Sequence, residues 1–407
     1  MPTATSIPAA SENLPSHGKG PRRRGGDPTP TLFPDVPAQR DSGPETLLPL
    51  GSVPERVGIA RLAFSSPLAD AKRGTEYFLL PVKSILNHCE SNRVPFSWTV
   101  NPYRGCEFGC QYCYARYTHE FMELDGQDFE KKIFVKQDAG PLAGRDLGME
   151  KVQGEHIAIG TATDPYQPAE REYGATRAVL LQMAERKGLS VSITTKSDQV
   201  LRDVDLLRRI GEHSRLSVNL SITTVRTRLA RLLEPRAPRP DLRLRAVQEL
   251  RRAGIAAGVF AMPVLPGITD HEEDLDALAR AARDANAQWF AASVLFLMPS
   301  SRNQFLPFLD AKFPRLARRY REWYSREVYA PETYRQEISA RVAALRKKYS
   351  LGGRPMDSDR STEPERQLSL DLVGRASVST INTSSYKAVS QQSLRSLGSA
   401  CAKEDCV

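Results

Sequence analysis

The sequence predicts an α/β fold, a parallel sheet wound into a partial, TIM-like (β/α)6 barrel. Two observations carry that expectation. Six short β-branched runs recur through the middle of the chain, and helical segments with apolar residues three and four apart separate the later ones. Strands alternating with helices in this way imply parallel pairing through right-handed crossovers. Six such units fall short of the eight that close a full barrel.

The runs are Phe96–Val100, His156–Ala162, Ser190–Thr195, Leu216–Thr223, Ala256–Pro263 and Phe290–Leu297. Helices are expected over Thr176–Lys187, Asp203–His213, Asp241–Ala253 and Glu272–Asn286; in the first, Val179, Leu180, Met183 and Ala184 fall on one apolar face. Two more, around Phe313–Val328 and Pro331–Tyr349, would pack outside the barrel or cap one end. The core is therefore expected over residues 75–350. Residues 1–50, rich in Pro and Gly and lacking an apolar period, are expected to be disordered, as are residues 351–407 with their Ser, Thr, Arg and Asp.

Composition bounds the function. Of 407 residues, 40% are hydrophobic and 26% charged, enough to bury a sizeable core. The most apolar stretch, Trp289 to Met298, is too short to span a bilayer, and Met1 to Leu50 does not resemble a signal peptide. A cytoplasmic protein with no membrane segment is expected. The net charge of +9 comes from 57 basic and 48 acidic residues; residues 1–45 and 351–407 together hold twelve of each, so the middle carries all of it. Arginines gather between Arg226 and Arg252 and again between Arg315 and Arg326. Such clusters suit phosphate contacts, or form ordinary solvated helix faces.

Six cysteines do not make a disulfide framework, and three of them lie within eight positions. They follow the first run directly, in Asn101-Pro-Tyr-Arg-Gly-Cys106-Glu-Phe-Gly-Cys110-Gln-Tyr-Cys113-Tyr114. In parallel α/β folds ligands collect at the carboxyl ends of strands, and this loop sits at one. Three thiolates from one tight loop can hold a 4Fe-4S cluster and leave one iron open to another ligand. A zinc site with His119 as fourth ligand, in a non-catalytic nucleic-acid-binding module, is the competing reading.

Cys106-x3-Cys110-x2-Cys113, with an aromatic before the last cysteine, resembles the signature of the radical S-adenosylmethionine (SAM) superfamily. More narrowly, residues 75–350 resemble its spore photoproduct lyase-like branch. That resemblance rests on Asn101-Pro-Tyr-Arg-Gly-Cys, Tyr112-Cys-Tyr-Ala, Thr163-Asp-Pro-Tyr-Gln-Pro168, Thr195-Lys-Ser, Leu233-Glu-Pro and Pro263-Val-Leu-Pro-Gly-Ile-Thr-Asp270, in order at successive strand ends. It implies a radical SAM enzyme whose cofactors are a 4Fe-4S cluster and SAM. The cluster reductively cleaves SAM to a 5′-deoxyadenosyl radical that abstracts hydrogen from substrate.

The resemblance further implies that Cys106, Cys110 and Cys113 bind the cluster. Tyr112, Thr163, Asp164, Lys196 and Ser221 become candidate SAM contacts, with Asn219 or Thr223 as alternatives to Ser221 and a loop-capping role as the alternative for Asp164. Tyr112 and Tyr114 fall where the lyase branch places tyrosines of its radical relay. The chain departs from that branch at Thr161-Ala-Thr-Asp164, where the lyase carries a hydrogen-returning cysteine. A damaged or modified DNA base is the expected substrate class; RNA, a peptide or a small molecule is the alternative. An electron donor such as a flavodoxin or ferredoxin is implied. In the C-terminal tail, Gln367, Leu368, Leu370 and Leu372 resemble peptides that dock on the DNA sliding clamp.

Overall fold

The computed structural model describes residues 56–90 and 94–353. The two predicted disordered tails, apart from residues 351–353, and the Gln367–Leu372 peptide lie outside them.

Among the described residues, eleven strands form two sheets. In chain order they are β1 (Leu68–Lys72), β2 (Thr75–Leu80), β3 (Leu86–His88), β4 (Trp98–Val100), β5 (Tyr103–Arg104), β6 (Lys132–Lys136), β7 (His156–Ile159), β8 (Ser190–Thr195), β9 (Arg215–Ser221), β10 (Ala257–Val264) and β11 (Phe290–Val294). The larger sheet runs β11-β10-β9-β8-β7-β4-β3. Its first six members pair parallel, and β3 adds antiparallel to β4 at the edge. These six parallel strands are the six predicted runs, so the partial (β/α)6 architecture stands.

Along β8 and β9 the buried apolar residues Val191, Ile193, Val218 and Leu220 alternate with Ser192, Thr194, Ser217 and Asn219, so one face of these strands is apolar and the other polar. The helices Ala175–Ala184, Val204–His213, Pro240–Arg252 and Glu272–Asp284 cover them, each within a few residues of the range expected from periodicity.

Three features were not expected. The first is the smaller sheet, β1-β2-β6-β5, in which β2 pairs parallel to β6 from Glu76↔Lys132 to Leu80↔Lys136. The chain leaves the large sheet at Val100 and enters the small one at Tyr103, so the cysteine loop hangs from the seam between them. The second is a helix over Pro299–Lys312. It carries no clear apolar stripe, since Pro307 sits inside it and the polar Ser300 and Ser301 are buried. The third concerns the boundaries. The described residues include a helix at Gly58–Ser65, ahead of residue 75, and Gly352 still pairs beside Trp289 through Phe290 N–H to Gly352 O at 3.1 Å. Three backbone hydrogen bonds hold Leu351 and Gly352 to the folded body, past residue 350 where composition alone marks the start of a tail.

Candidate active site

The site is built from four segments at the carboxyl ends of neighbouring strands. They are the cysteine loop after β4, residues 160–168 after β7, Lys196 after β8, and the β9 end with its continuation to Glu234.

The cysteine loop is held by backbone and side-chain bonds along its length. Cys106 N–H donates to Phe129 O at 3.0 Å, Gln111 N–H to Leu233 O at 2.9 Å, and Cys113 O accepts from Ser301 Oγ at 2.8 Å. The buried Glu107 carboxylate receives Ala169 N–H at 2.7 Å and Tyr77 OH at 3.0 Å, tying the loop to both sheets. Gly105 is required where it stands. Its φ is +82°, and a Cβ there would lie 2.6 Å from Lys132 O and 2.8 Å from Phe129 O. Gly105→Ala is accordingly expected to cost ~2–3 kcal/mol or more through backbone displacement and to lower iron uptake on reconstitution. Unchanged melting and full iron content in that variant would contradict this.

Cys106 and Cys110 are buried and Cys113 nearly so, and all three thiols are free of disulfides. Burial pushes each thiol up, and in Cys106 the Asp164 charge and the other two cysteines add to the effect. Three buried thiols this close ionise only if a cation compensates them, which is what the irons of a cluster would supply. Among the described residues no group of three or more His, Cys, Asp or Glu side chains could hold a single metal ion. Ligands to a cluster each take their own iron and need not meet at one point. His119, the zinc-ligand candidate, is engaged elsewhere. Its Nε2 lies 3.0 Å from Lys132 O, its ring packs edge-on against Phe129 and Phe134, and burial lowers its pKa to about 4.

The segment after β7 serves mainly to fasten the loop. Thr163 Oγ1 donates to Gly105 O at 2.6 Å and accepts from Gln167 Nε2 at 3.0 Å. Asp164 is buried and receives Thr195 Oγ1 at 2.7 Å, Lys196 N–H at 2.7 Å and Tyr166 N–H at 2.9 Å. Thr163 is thus bonded to the cysteine loop and to Gln167 of its own segment, and Asp164 to the end of β8 and, across Pro165, to Tyr166 N–H. Tyr114 is 40% exposed, with its hydroxyl donating to Thr161 O and its ring edge-on to Phe296.

Beneath the loop lies a charged network that periodicity and spacing do not reveal. Glu234, 2% exposed, has Arg243 Nη2 2.5 Å from Oε2 and Lys196 Nζ 3.7 Å from Oε1. Oε1 also accepts from the Tyr112 hydroxyl and from Thr223 Oγ1 at 2.9 Å. Burial alone would raise the Glu234 carboxyl, but the Arg243 and Lys196 charges and the Tyr112 bond outweigh it and pull it down to about 2. Arg243 is itself buried and donates to Ser221 O at 2.9 Å and Pro238 O at 2.8 Å. Lys196 also lies 5.8 Å over the Tyr112 ring. The network thus fixes Tyr112, Lys196 and the end of β9 relative to one another.

Of the β9 candidates, Asn219 is committed to Trp289 Nε1 at 3.1 Å and Ile193 O at 3.3 Å. Thr223 is committed to Glu234 and Tyr112. Ser221, buried at the strand end, offers its backbone carbonyl to Arg243.

Residues 100–279, from the end of β4 through the β10 unit, match the family model of the radical SAM superfamily. The protein Rv2578c of Mycobacterium tuberculosis is 35% identical over 324 residues, covering 79% of this chain and 93% of the relative. The chain belongs to the radical SAM superfamily. A second relative, MJ0683 of Methanocaldococcus jannaschii, is 31% identical over 175 residues, 43% of this chain and 63% of that protein. Among solved structures, spore photoproduct lyase complexed with dinucleoside spore photoproduct superposes with a TM-score of 0.51 at 12% identity, over 67% of this chain and 79% of the lyase. That likeness is one of fold. As a radical SAM enzyme the chain has a 4Fe-4S cluster and SAM as cofactors, and the donor set of the cysteine loop fits the cluster. No helix among the described residues is long and apolar enough to cross a membrane.

Proposed function

We propose that this radical SAM enzyme acts on a nucleic acid, at a damaged or modified DNA base. The observation that carries the proposal is the union of a cluster-type cysteine loop with a folded body that holds the whole +9 charge. The fold likeness to a lyase complexed with a dinucleoside photoproduct supports the same substrate class.

In this reading Cys106, Cys110 and Cys113 hold the cluster, whose chemistry with SAM supplies a 5′-deoxyadenosyl radical. Lys196 presents the cation that meets the SAM carboxylate, and Glu234 holds that ammonium in place. Ser221 and the Tyr112 ring line the same space. Thr163 and Asp164 position the loops around it, and Tyr112 and Tyr114, the latter partly exposed, are the candidates for a radical relay. With no cysteine in Thr161–Asp164, hydrogen return by the lyase's route is not part of the proposal. Electrons would come from a flavodoxin- or ferredoxin-type donor in the cytoplasm.

Anaerobic reconstitution, with iron, sulfide and zinc analysis followed by dithionite and SAM, tests the reading. About four irons per chain and release of 5′-deoxyadenosine that increases with an irradiated oligonucleotide are expected. Release that responds to RNA or peptide and ignores DNA would replace the substrate class. Zinc without iron would end the proposal. The tail peptide Gln367–Leu372 belongs to the same DNA-linked reading. A synthetic peptide of that sequence should bind purified sliding clamp, and a Gln367→Ala, Leu370→Ala version should not.

A further inference from the structure

The two arginine clusters of the sequence meet at one place. A cleft of about 570 Å³ opens at the carboxyl ends of β9 and β10, lined among others by Arg228, Leu229, Gly267, His271 and Phe313. From the far side Arg319 reaches the cleft wall, its Nη1 3.6 Å from where a Cβ on Gly267 would stand. Many of the other arginines in these clusters are already engaged. Arg226, also in the lining, is paired with Asp274 at 3.0 Å, Arg239 with Asp241, Arg318 with Glu322, and Arg243 is buried on Glu234. Arg228 and Arg319 are exposed and form no ion pair among the described residues, and the Arg319 guanidinium lies 5.7 Å over the Trp323 ring. Glu272 and Glu273 bound the His271 end, which leaves Arg228 and Arg319 as the positive walls.

We infer that this cleft binds the phosphodiester backbone of a single nucleic-acid strand on its way to the cluster loop. Three features fit that ligand. Two exposed guanidiniums without ion pairs, Arg228 in the lining and Arg319 beside Gly267 in its wall, come to one groove from separate elements, an arrangement suited to phosphate contacts. In the same lining Phe313, half-buried and with its ring 5.9 Å from that of Phe308, presents an aromatic surface of the kind on which bases stack. The cleft also lies close to the chemistry. The helix Thr227–Leu233 begins in its lining and ends one residue before Glu234, a span of about 10 Å at the usual helical rise. The inference rests on the nucleic-acid reading and adds the place where the strand enters.

Fluorescence anisotropy with a labelled single-stranded DNA 16-mer and an RNA of the same sequence, on the full chain at several salt concentrations, tests it. Wild type should bind with salt-dependent affinity. Arg228→Gln, Arg319→Gln together should weaken binding at least tenfold at moderate salt and reduce the log–log salt slope by about 1.4, the release expected for two single-strand phosphate contacts. Phe313→Ala should lower affinity roughly tenfold and leave the slope alone, because stacking carries no counterions. Arg208→Gln, on the exposed face of the Val204–His213 helix, should change nothing. A double variant that binds as tightly as wild type overturns the cleft assignment and leaves the nucleic-acid reading intact. A wild type that binds neither oligonucleotide overturns both, and preference between DNA and RNA identifies which strand the cleft serves.

Discussion

Replacing Cys110 with alanine is expected to leave a protein nearly free of iron that forms no 5′-deoxyadenosine from SAM. Cys110 lies in the middle of the three-cysteine loop, and with it gone only Cys106 and Cys113 remain to hold a cluster that takes three protein thiolates. The loss should exceed roughly 10³-fold in rate, equivalent to ~4 kcal/mol. The fold should survive, because the loop keeps its backbone bonds to Phe129 and Leu233 and its Ser301 bond at Cys113 O. Cys89→Ala is the matched control. That thiol is also buried, yet it lies just beyond β3, with its N–H on Ser97 O at the amino end of β4, opposite the end that carries the cysteine loop, so iron content should be unchanged. Iron and sulfide assays with visible absorbance separate the two variants directly. A Cys110→Ala protein with its full complement of iron would refute the ligand assignment.

What the sequence made legible here was local. Each parallel strand carries its own β-branched run, and each covering helix its own apolar spacing, so six units could be placed without knowing their partners. The cysteine loop was legible for the same reason, since its three ligands lie within one turn of chain. The small sheet was not. Its β2–β6 pairing joins residues more than fifty positions apart, and β5 is two residues long, too short for any alternation to register. Nor was the Glu234 network, because a buried charge reads like a surface one until its partners are known. Arg243 was counted with the basic clusters, although its guanidinium never reaches solvent. One signal was available. Between Arg226 and Pro240 five arginines accompany a single acid, Glu234, set before Pro235, and a lone acid in so basic a stretch calls for a buried cation.

Replacing that acid is expected to have the largest effect on stability. In Glu234→Ala, the 1%-exposed Arg243 and the part-buried Lys196 lose their counter-charge, and the Tyr112 and Thr223 hydroxyls lose their acceptor. Breaking a buried pair from one side costs ~3–5 kcal/mol, and for a domain of this size the melting temperature should fall by on the order of 10 °C. Glu234→Gln keeps the acceptor but not the charge, and should fall between. The two roles of the residue can be separated with Glu234→Leu, Arg243→Met, which removes both charges of the buried pair. Stability should recover in part, since an apolar pair of similar volume often replaces a buried ion pair without loss. SAM affinity should not recover, because Lys196 would still lack the carboxylate that fixes its ammonium. The acid response gives an independent check. Glu234 titrates near 2 in the fold against 4.5 in a free glutamate, so its contribution is whole above about pH 4.5 and disappears as pH falls through 2. The stability gap between wild type and Glu234→Gln should therefore close across that interval. A gap that persists unchanged to pH 2, or a Glu234→Ala protein melting within a degree or two of wild type, would show that the carboxylate carries no such charge interaction.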